Sequence, residues 1–342
     1  MLEHLQRWTR RTLLQSISCL ALGVALSASA QAETVTVTVG VQSMFAPWKD
    51  AIARKAFEQA TGWDIQWRSF DSGGDVMLAM ASGDVQIGVA GSSPLAAAVS
   101  RGVEAQVFWI LDNIASAEAL VVRDGSGIDA PQDLAGKTLA VPFVSTTHFH
   151  ALFALQQFGL LGKVKVINLQ PSDMPAAWAR GDIDAAFVWD PALGRLKQSG
   201  KVLLTSGLLT SWGKATFDAL VVDKGFAAQH ATGMQAFTQV LQDSTASYVK
   251  APGTWSADSP QVINIARHSG AQAQDVPPVL ALYQFPLAPE QASERWLGGA
   301  AQSGVAKALQ ATASFLVEQK KVPALLPDYS GAVNPSFVQA AH

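Results

Sequence analysis

The chain has 342 residues, 49% of them apolar and only 15% charged, with 27 Gly, 16 Pro and a net charge of −3. That balance is too apolar for a disordered polymer and too irregular for a coiled coil, and the length suits two lobes. No cluster of Lys or Arg offers a footprint for nucleic acid or an anionic membrane, so neither is an expected partner.

Residues 1–32 read as a secretory signal peptide. Arg7, Arg10 and Arg11 form a basic start, the apolar run over 13–26 is too short to span a bilayer, and A-x-A sites end at Ala30 and Ala32. Thr9-Arg10-Arg11 matches a twin-arginine signal only loosely. The single cysteine, Cys19, falls inside this segment. Cleavage would therefore leave a chain without disulfides, thiolate metal sites or a cysteine nucleophile. The expected product is exported.

Beyond Glu33, short β-branched runs alternate with helical segments. Strands are expected over 34–41, 65–70 and 85–90, with helices over 47–59 and 75–81 between them. This alternation is the pattern of an α/β sheet, whose ligands bind beyond the carboxyl ends of the strands. Two internal echoes point to two similar lobes. Ala-Ser-Gly-Asp84-Val-Gln-Ile-Gly-Val-Ala-Gly-Ser-Ser-Pro94 is a helix end, a Gly-Asp turn, a buried strand and a loop closed by proline. Ala-Arg-Gly-Asp182-Ile-Asp-Ala-Ala-Phe-Val-Trp-Asp-Pro191 repeats that order. Glu118-Ala-Leu-Val-Val is likewise echoed by Asp218-Ala-Leu-Val-Val. Read as two crossing strands, the second pair sets lobe 1 at 33–120 plus 220–342 and lobe 2 at 121–217. The third of the chain after Phe226 reads as a helical layer on lobe 1, with no site in it and a partly ordered tail after Tyr329.

Enzyme motifs are missing: there is no G-x-S-x-G, no P-loop and no G-x-G-x-x-G. His148 and His150 make a lone H-x-H pair without a third ligand, and they read as hydrogen-bonded or surface histidines rather than a metal site. No cofactor or metal is expected. Binding signals are stronger. Gly91-Ser92-Ser93-Pro94 follows a buried strand and opens a helix, so hydroxyls and free backbone N–H groups can cradle an anion. Ser145-Thr146-Thr147 does the same after the strand at 138–141, although plain N-capping would also place a Ser there. Asp71-Ser-Gly-Gly is a third, less specific loop of this kind. No Lys or Arg accompanies these cradles. If Glu118 and Asp218 face the same cleft, the ligand must carry a cation as well, which describes a small zwitterion. Trp189, Trp212 and Phe45 could wall it or offer a ring face to an ammonium.

The motifs Phe-Asp71-Ser-Gly-Gly, Ala-Ser-Gly-Asp84-Val-Gln-Ile-Gly, Gly91-Ser-Ser-Pro-Leu, Glu118-Ala-Leu-Val-Val, Val141-Pro-Phe-Val-Ser-Thr-Thr-His148 and Val188-Trp189 together resemble the periplasmic substrate-binding family for nitrate, sulfonates and taurine. The likeness runs from Thr34 to about Val338. It implies a location in the periplasm and a type II periplasmic binding protein, two α/β lobes joined by two crossing strands. Such a protein closes around taurine or a similar sulfonate as a monomer and delivers it to an ABC permease with its ATPase. Carried over by position, Gln42, Ser92–Ser93 and Ser145–Thr147 would hold the sulfonate. Glu118 and Asp218 would meet the ammonium, and Trp189 and Trp212 would be walls. Asp190, ahead of Pro191, is a departure from the pattern and would either add to ammonium binding or cap a helix. Other sulfonates, sulfate esters or nitrate are the competing ligands. An enzyme on this fold, such as a desulfinase, is the competing class, and the loss of Cys19 on cleavage argues against it.

Overall fold

The computed structural model describes residues 34–341. The expected leader and Cys19 lie outside them. Alternating Thr and Val make Thr36–Val41 (β1) a strand, because β-branched side chains fit an extended backbone. It runs parallel to Asp64–Ser69 (β2) and Ile87–Gly91 (β3) on either side. Ala105–Asn113 (β4) closes the edge of this first sheet. The second sheet is built from Glu118–Arg123 (β5), Thr138–Val141 (β6), Lys165–Asn168 (β7), Ala185–Trp189 (β8) and Gly200–Thr205 (β9). The chain then returns to the first sheet as Phe217–Asp223 (β10), inserted antiparallel between β3 and β4.

The two sheets share one plan. The first has the order β2-β1-β3-β10-β4 and the second β7-β6-β8-β5-β9. In each, three parallel strands are followed by an antiparallel one: β10 on β3, and β5 on β8. The equivalence extends to single bonds. Gly83 (φ 84°) and Gly181 (φ 76°) take the left-handed turns that end a helix ahead of β3 and β8. The Asp84 N–H then donates to Ala79 C=O (2.9 Å) and the Asp182 N–H to Ala177 C=O (3.0 Å). Both central strands, Ile-Gly-Val-Ala-Gly and Ala-Ala-Phe-Val-Trp, are buried throughout, as strands covered on both faces must be. The chain passes between sheets in the loop from Asn113 to Glu118 and again from Thr205 to Phe217. Both strands named above as crossings therefore pair within a single sheet.

The helix expected over 47–59 is two, Lys49–Ala53 and Ala56–Thr61, broken where Lys55 takes φ 54°. The break turns the second piece so that Phe57 packs against Trp48, Trp67 and Phe237 together. Edge strand β4 was not anticipated. Late in the chain, Gly304–Glu318 touches both halves. Phe315 joins the core of the second sheet beside Phe149 and Phe153, while Leu316 packs on Ala97 of the first. The tail is anchored more fully than expected: Tyr329 Oη lies 2.5 Å from Ser100 Oγ, and Phe337 of helix Ser336–Ala340 sits edge-on to Phe108. Among the described residues, no helix is long and apolar enough to cross a membrane.

Candidate functional site

The carboxyl ends of β1, β3, β6 and β8 and the first residues of β5 and β10 converge on one small cavity. Its wall includes Gln42, Glu118, Ser145, Thr146, Trp189 and Asp218 from the candidates, together with Gly91, and no Lys or Arg. Register explains why the acids meet there. Asp218 pairs with Gly91 at the end of β3, and Glu118 pairs with Trp189 at the end of β8. Gly91 is needed for the approach of the two halves, since a Cβ on it would lie 2.6 Å from Thr146 Cγ2 and 3.1 Å from Asp218 Oδ1.

One side of the cavity presents neutral donors. Ser92 and Ser93 open the helix Ser92–Val99 just behind Gly91, are fully buried, and their hydroxyls have no hydrogen-bond partner among the described residues. Trp189 Nε1 is also buried without a partner. Buried polar groups are seldom left unpaired, so the Trp189 indole on the cavity wall marks a place for an acceptor atom, whereas Ser92 and Ser93 are not on that wall, which Gly91 and Pro94 form in their place. Gln42 spends one amide hydrogen on Val89 C=O (3.0 Å). The turn ahead of helix Thr146–Gln157 is strained, with β-branched Val144 at φ 64°. Ser145 caps that helix: its hydroxyl donates to Pro142 C=O (2.6 Å) and accepts from the His148 N–H (3.0 Å). Thr147 is tied to Ser145 (2.8 Å). What this turn offers an anion is therefore the first backbone N–H groups of the helix, which have no intrahelical acceptor.

The other side is acidic. Glu118 is buried, with Oε1 accepting from Thr146 Oγ1 (2.5 Å) and Oε2 hydrogen-bonded to Ser206 Oγ (3.2 Å). Burial, then the nearby Asp218 charge, pushes its carboxyl up to about 8, against the two hydroxyl bonds that favour ionisation. Burial raises Asp218 to about 7. A third acid, Asp112, lies opposite Asp218 in the β4–β10 register and is fully buried. It is raised well above the usual range by burial, and then by Asp218 and Glu118. Burial, and then the charges of Asp112, Asp218, Glu118 and Asp190, push the Tyr283 hydroxyl far up. Three carboxyls so close cannot all ionise without a cation. Among the described residues, no group of three or more His, Cys, Asp or Glu is arranged to hold a metal.

Several candidates sit elsewhere. Asp71 is at the exposed rim, where it accepts from Ser172 Oγ of the other half (3.0 Å), and Asp75 accepts from Gln170 beside it (3.1 Å). These two bonds clasp the cleft rather than line it. Asp190 is buried but turned toward its own helix, with Oδ1 accepting from the Gly194 N–H (3.1 Å). Trp212 is a correction. It ends the helix Ser206–Ser211, is 41% exposed, and packs edge-on to Phe153 and Phe158, so it walls nothing in the cavity. Phe45 is core. His148 and His150 are buried on a helix and hydrogen-bonded, His148 with the Val144 N–H and His150 with Ser206 and the Lys214 carbonyl, so they are not surface residues. Sequence reasoning also missed Asp112, Tyr283 and Lys49. Lys49 is buried and donates to Gln42 C=O (2.6 Å) and Ser269 Oγ (2.8 Å), and burial lowers its ammonium to about 7. Asp112 had a signal, being a lone acid closing the apolar run 107–111.

Comparison with known proteins fits this geometry. Residues 54–254 match the NMT1/THI5-like family. The chain is also 43% identical, over 87% of its length and 91% of the relative's, to the taurine-binding periplasmic protein of Escherichia coli strain K12. The chain belongs to the NMT1/THI5-like family. Its fold is that of the alkanesulfonate-binding protein SsuA from Xanthomonas axonopodis pv. citri, with a TM-score of 0.70 at 23% identity, covering 91% of this chain and 99% of that one. The desulfurization enzyme DSZB shares the fold more distantly, at TM-score 0.59 and 15% identity over 89% and 97%. The two sheets are thus the two α/β lobes of a type II periplasmic binding protein, and this family fold serves both receptors and an enzyme.

Proposed function

We propose that this chain is the exported, periplasmic receptor of an ABC importer and that it binds taurine in the cavity between its lobes. The observation that carries this reading is the pairing, in one small cavity, of unpartnered neutral donors with buried acids. A sulfonate is a weakly basic anion that needs donors rather than a counter-ion. Trp189 and the helix N-terminus at Thr146 and Thr147 supply them, with Gln42 beside them and the Ser92 and Ser93 hydroxyls just behind Gly91. Hydrogen bonds to a charged group contribute about 1.5–3 kcal/mol each. A partly buried helix N-terminus adds up to about 2 kcal/mol. A few such bonds exceed the roughly 8 kcal/mol of a micromolar complex, leaving room for ordering costs. Glu118 and Asp218 meet the ammonium, whose charge lets them ionise where their own repulsion forbids it.

Lobe 1 (up to 113 and from 217) and lobe 2 (118–205) close over the ligand, and Asp71–Ser172 and Asp75–Gln170 are the clasps of the closed form. Closure is the event a membrane permease reads. The leader over 1–32 directs export, and the receptor acts as a monomer. A general sulfonate receptor would have no use for the acids. A desulfinase reading lacks the cysteine nucleophile such an enzyme would need, since residues 34–341 contain no cysteine. Calorimetry of the purified protein with taurine, ethanesulfonate and β-alanine tests the proposal. Taurine is expected to bind tightly and both analogues much more weakly; equal binding of ethanesulfonate would replace taurine with sulfonates in general.

A further inference from the structure

Behind Glu118, away from the cavity, its second carboxyl oxygen continues into a buried chain of hydrogen bonds that ligand contact does not explain. Ser206 Oγ lies 3.2 Å from Glu118 Oε2 and 2.8 Å from His150 Nδ1, and His150 Nε2 lies 2.7 Å from the carbonyl oxygen of Lys214. Ser206 and His150 are both fully buried.

Counting protons along this chain restricts its states. A carbonyl oxygen cannot donate, so His150 Nε2 carries a hydrogen toward Lys214. Ser206 has one hydrogen to share between two neighbours. If His150 is neutral, its Nδ1 lone pair takes that hydrogen, and Glu118 must itself be protonated to donate to Ser206. If Glu118 is ionised, Ser206 donates to it, and Nδ1 must carry a hydrogen, making His150 an imidazolium. An ionised Glu118 beside a neutral His150 sets two lone pairs against one hydrogen and leaves a buried group unsatisfied, which costs about 1–3 kcal/mol. The chain thus holds one extra proton, at one end or the other.

We propose that Ser206 and His150 are a proton store for Glu118: when an ammonium ligand reaches Glu118, its Oε2–H bond breaks, Ser206 takes that proton and passes its own to His150 Nδ1. The net charge of the chain is unchanged, the carboxylate is delivered to the ligand, and no proton has to leave the closed cavity. Resting occupancy favours the starting state, because burial holds the Glu118 proton and lowers His150 to about 4. The groups facing the chain are Asp218 from β10, Asp112 from β4 and Tyr283; with burial, Asp218 holds the proton on Glu118 until a cation arrives, while Asp112 and Tyr283 are themselves raised by the neighbouring acids. At the far end, the Lys214 ammonium lies over the Phe153 and Phe315 rings, and His148, two residues earlier on the same helix, accepts from the Val144 N–H. This inference deepens the proposed function and rests on a ligand with an ammonium group.

The test is ¹⁵N NMR of histidine-labelled protein with and without saturating taurine at about pH 6.5, below the shifted Glu118 value and far above that of a buried neutral His150. His150 is expected to show one protonated ring nitrogen when free and two when taurine is bound, while in Glu118→Gln it stays neutral in both. Calorimetry in buffers of different ionisation heat gives a second readout: His150→Gln should release about one more proton per bound taurine than the wild type, since the proton then has only solvent to go to. Taurine binding with a neutral His150 and equal proton counts overturns the store and leaves the receptor intact. No taurine binding at all overturns both. Should His150→Gln fail to fold, the wild-type spectra decide alone.

Discussion

The two lobes are one scaffold used twice, and they differ most where their central strands end. β3 and β8 are entered by the same turn, lie in the same place in their sheets, and stand opposite an acid at the start of an inserted strand. Yet β3 ends in Gly91-Ser92-Ser93 and β8 in Trp189-Asp190. Glycine removes a side chain so that Thr146 of the other lobe can press in, and the two serines leave free hydroxyls behind it. Tryptophan fills the equivalent space with an indole. Duplicated backbone thus fixes where the site is, while the residues after each strand decide what each lobe contributes. A polar ligand with unlike ends suits such a site better than a symmetric one.

If the acids are the cation-binding half of that asymmetry, removing them gives the largest effect. Truncating one partner of a buried charge pair costs about 2–5 kcal/mol. Glu118→Gln and Asp218→Asn should therefore each weaken taurine by at least about 30-fold, while ethanesulfonate affinity holds or improves, as calorimetry would show. Equal losses for both ligands would mean that the acids only hold the lobes together. Ser93→Ala probes the other half. It should weaken taurine and ethanesulfonate alike, by about 1.5–3 kcal/mol for a hydrogen bond to a charged group. The same change should raise the melting temperature of the free protein, because it deletes a buried hydroxyl that has no partner. A variant that loses stability instead would show that the Ser93 hydroxyl is already satisfied.

The acids also separate the lobes from the rest of the fold by pH. Folded Glu118 keeps its proton up to about 8, whereas the unfolded carboxyl releases it near 4.5. Across that window the folded state binds more protons, so stability falls as pH rises through it. Lys49, beneath Gln42, acts with the opposite sign and at higher pH: its folded value of about 7 lies below the ordinary 10.5, so stability rises between them. Melting curves at pH 5, 6.5 and 8 should show a decline that Glu118→Gln flattens; an unchanged slope would mean that Glu118 is ionised in the free fold.

What could be read from the chain follows from how local each determinant is. The Gly-Asp turns, the apolar strands β3 and β8, and an acid heading each inserted strand are adjacent-residue features, and they place most of the cavity. Ser92 and Ser93 were legible because Pro94 marks the helix start. Asp112 was not, because its role depends on register with β10, which lies more than a hundred residues away in sequence. Lys49 was hidden for the same reason, since its acceptor Ser269 comes from a distant helix. The helix break at Lys55 is a case of tertiary packing overriding local periodicity. Ser145 was read as an anion donor, but its one hydrogen is already given to Pro142 C=O.

Trp212 supplies the smallest and cleanest contrast, because composition and the family resemblance both set it beside Trp189. Both pack within or against the second lobe and both are aromatic, but an aromatic residue carries no direction in sequence. Trp189 ends a buried strand and faces the cavity, whereas Trp212 ends a surface helix, with its ring at 5.9 Å and 72° to Phe158. Edge-to-face pairs of this kind contribute about 0.5–1.5 kcal/mol. Trp212→Ala should lower the melting temperature by a few degrees and leave taurine affinity within about twofold, whereas Trp189→Ala loses a wall and a donor together. A tenfold loss of affinity in Trp212→Ala would place part of the closing energy on the outer face of the second lobe, and the lobe ends at Gly91 and Trp189 would then be only half of the asymmetry.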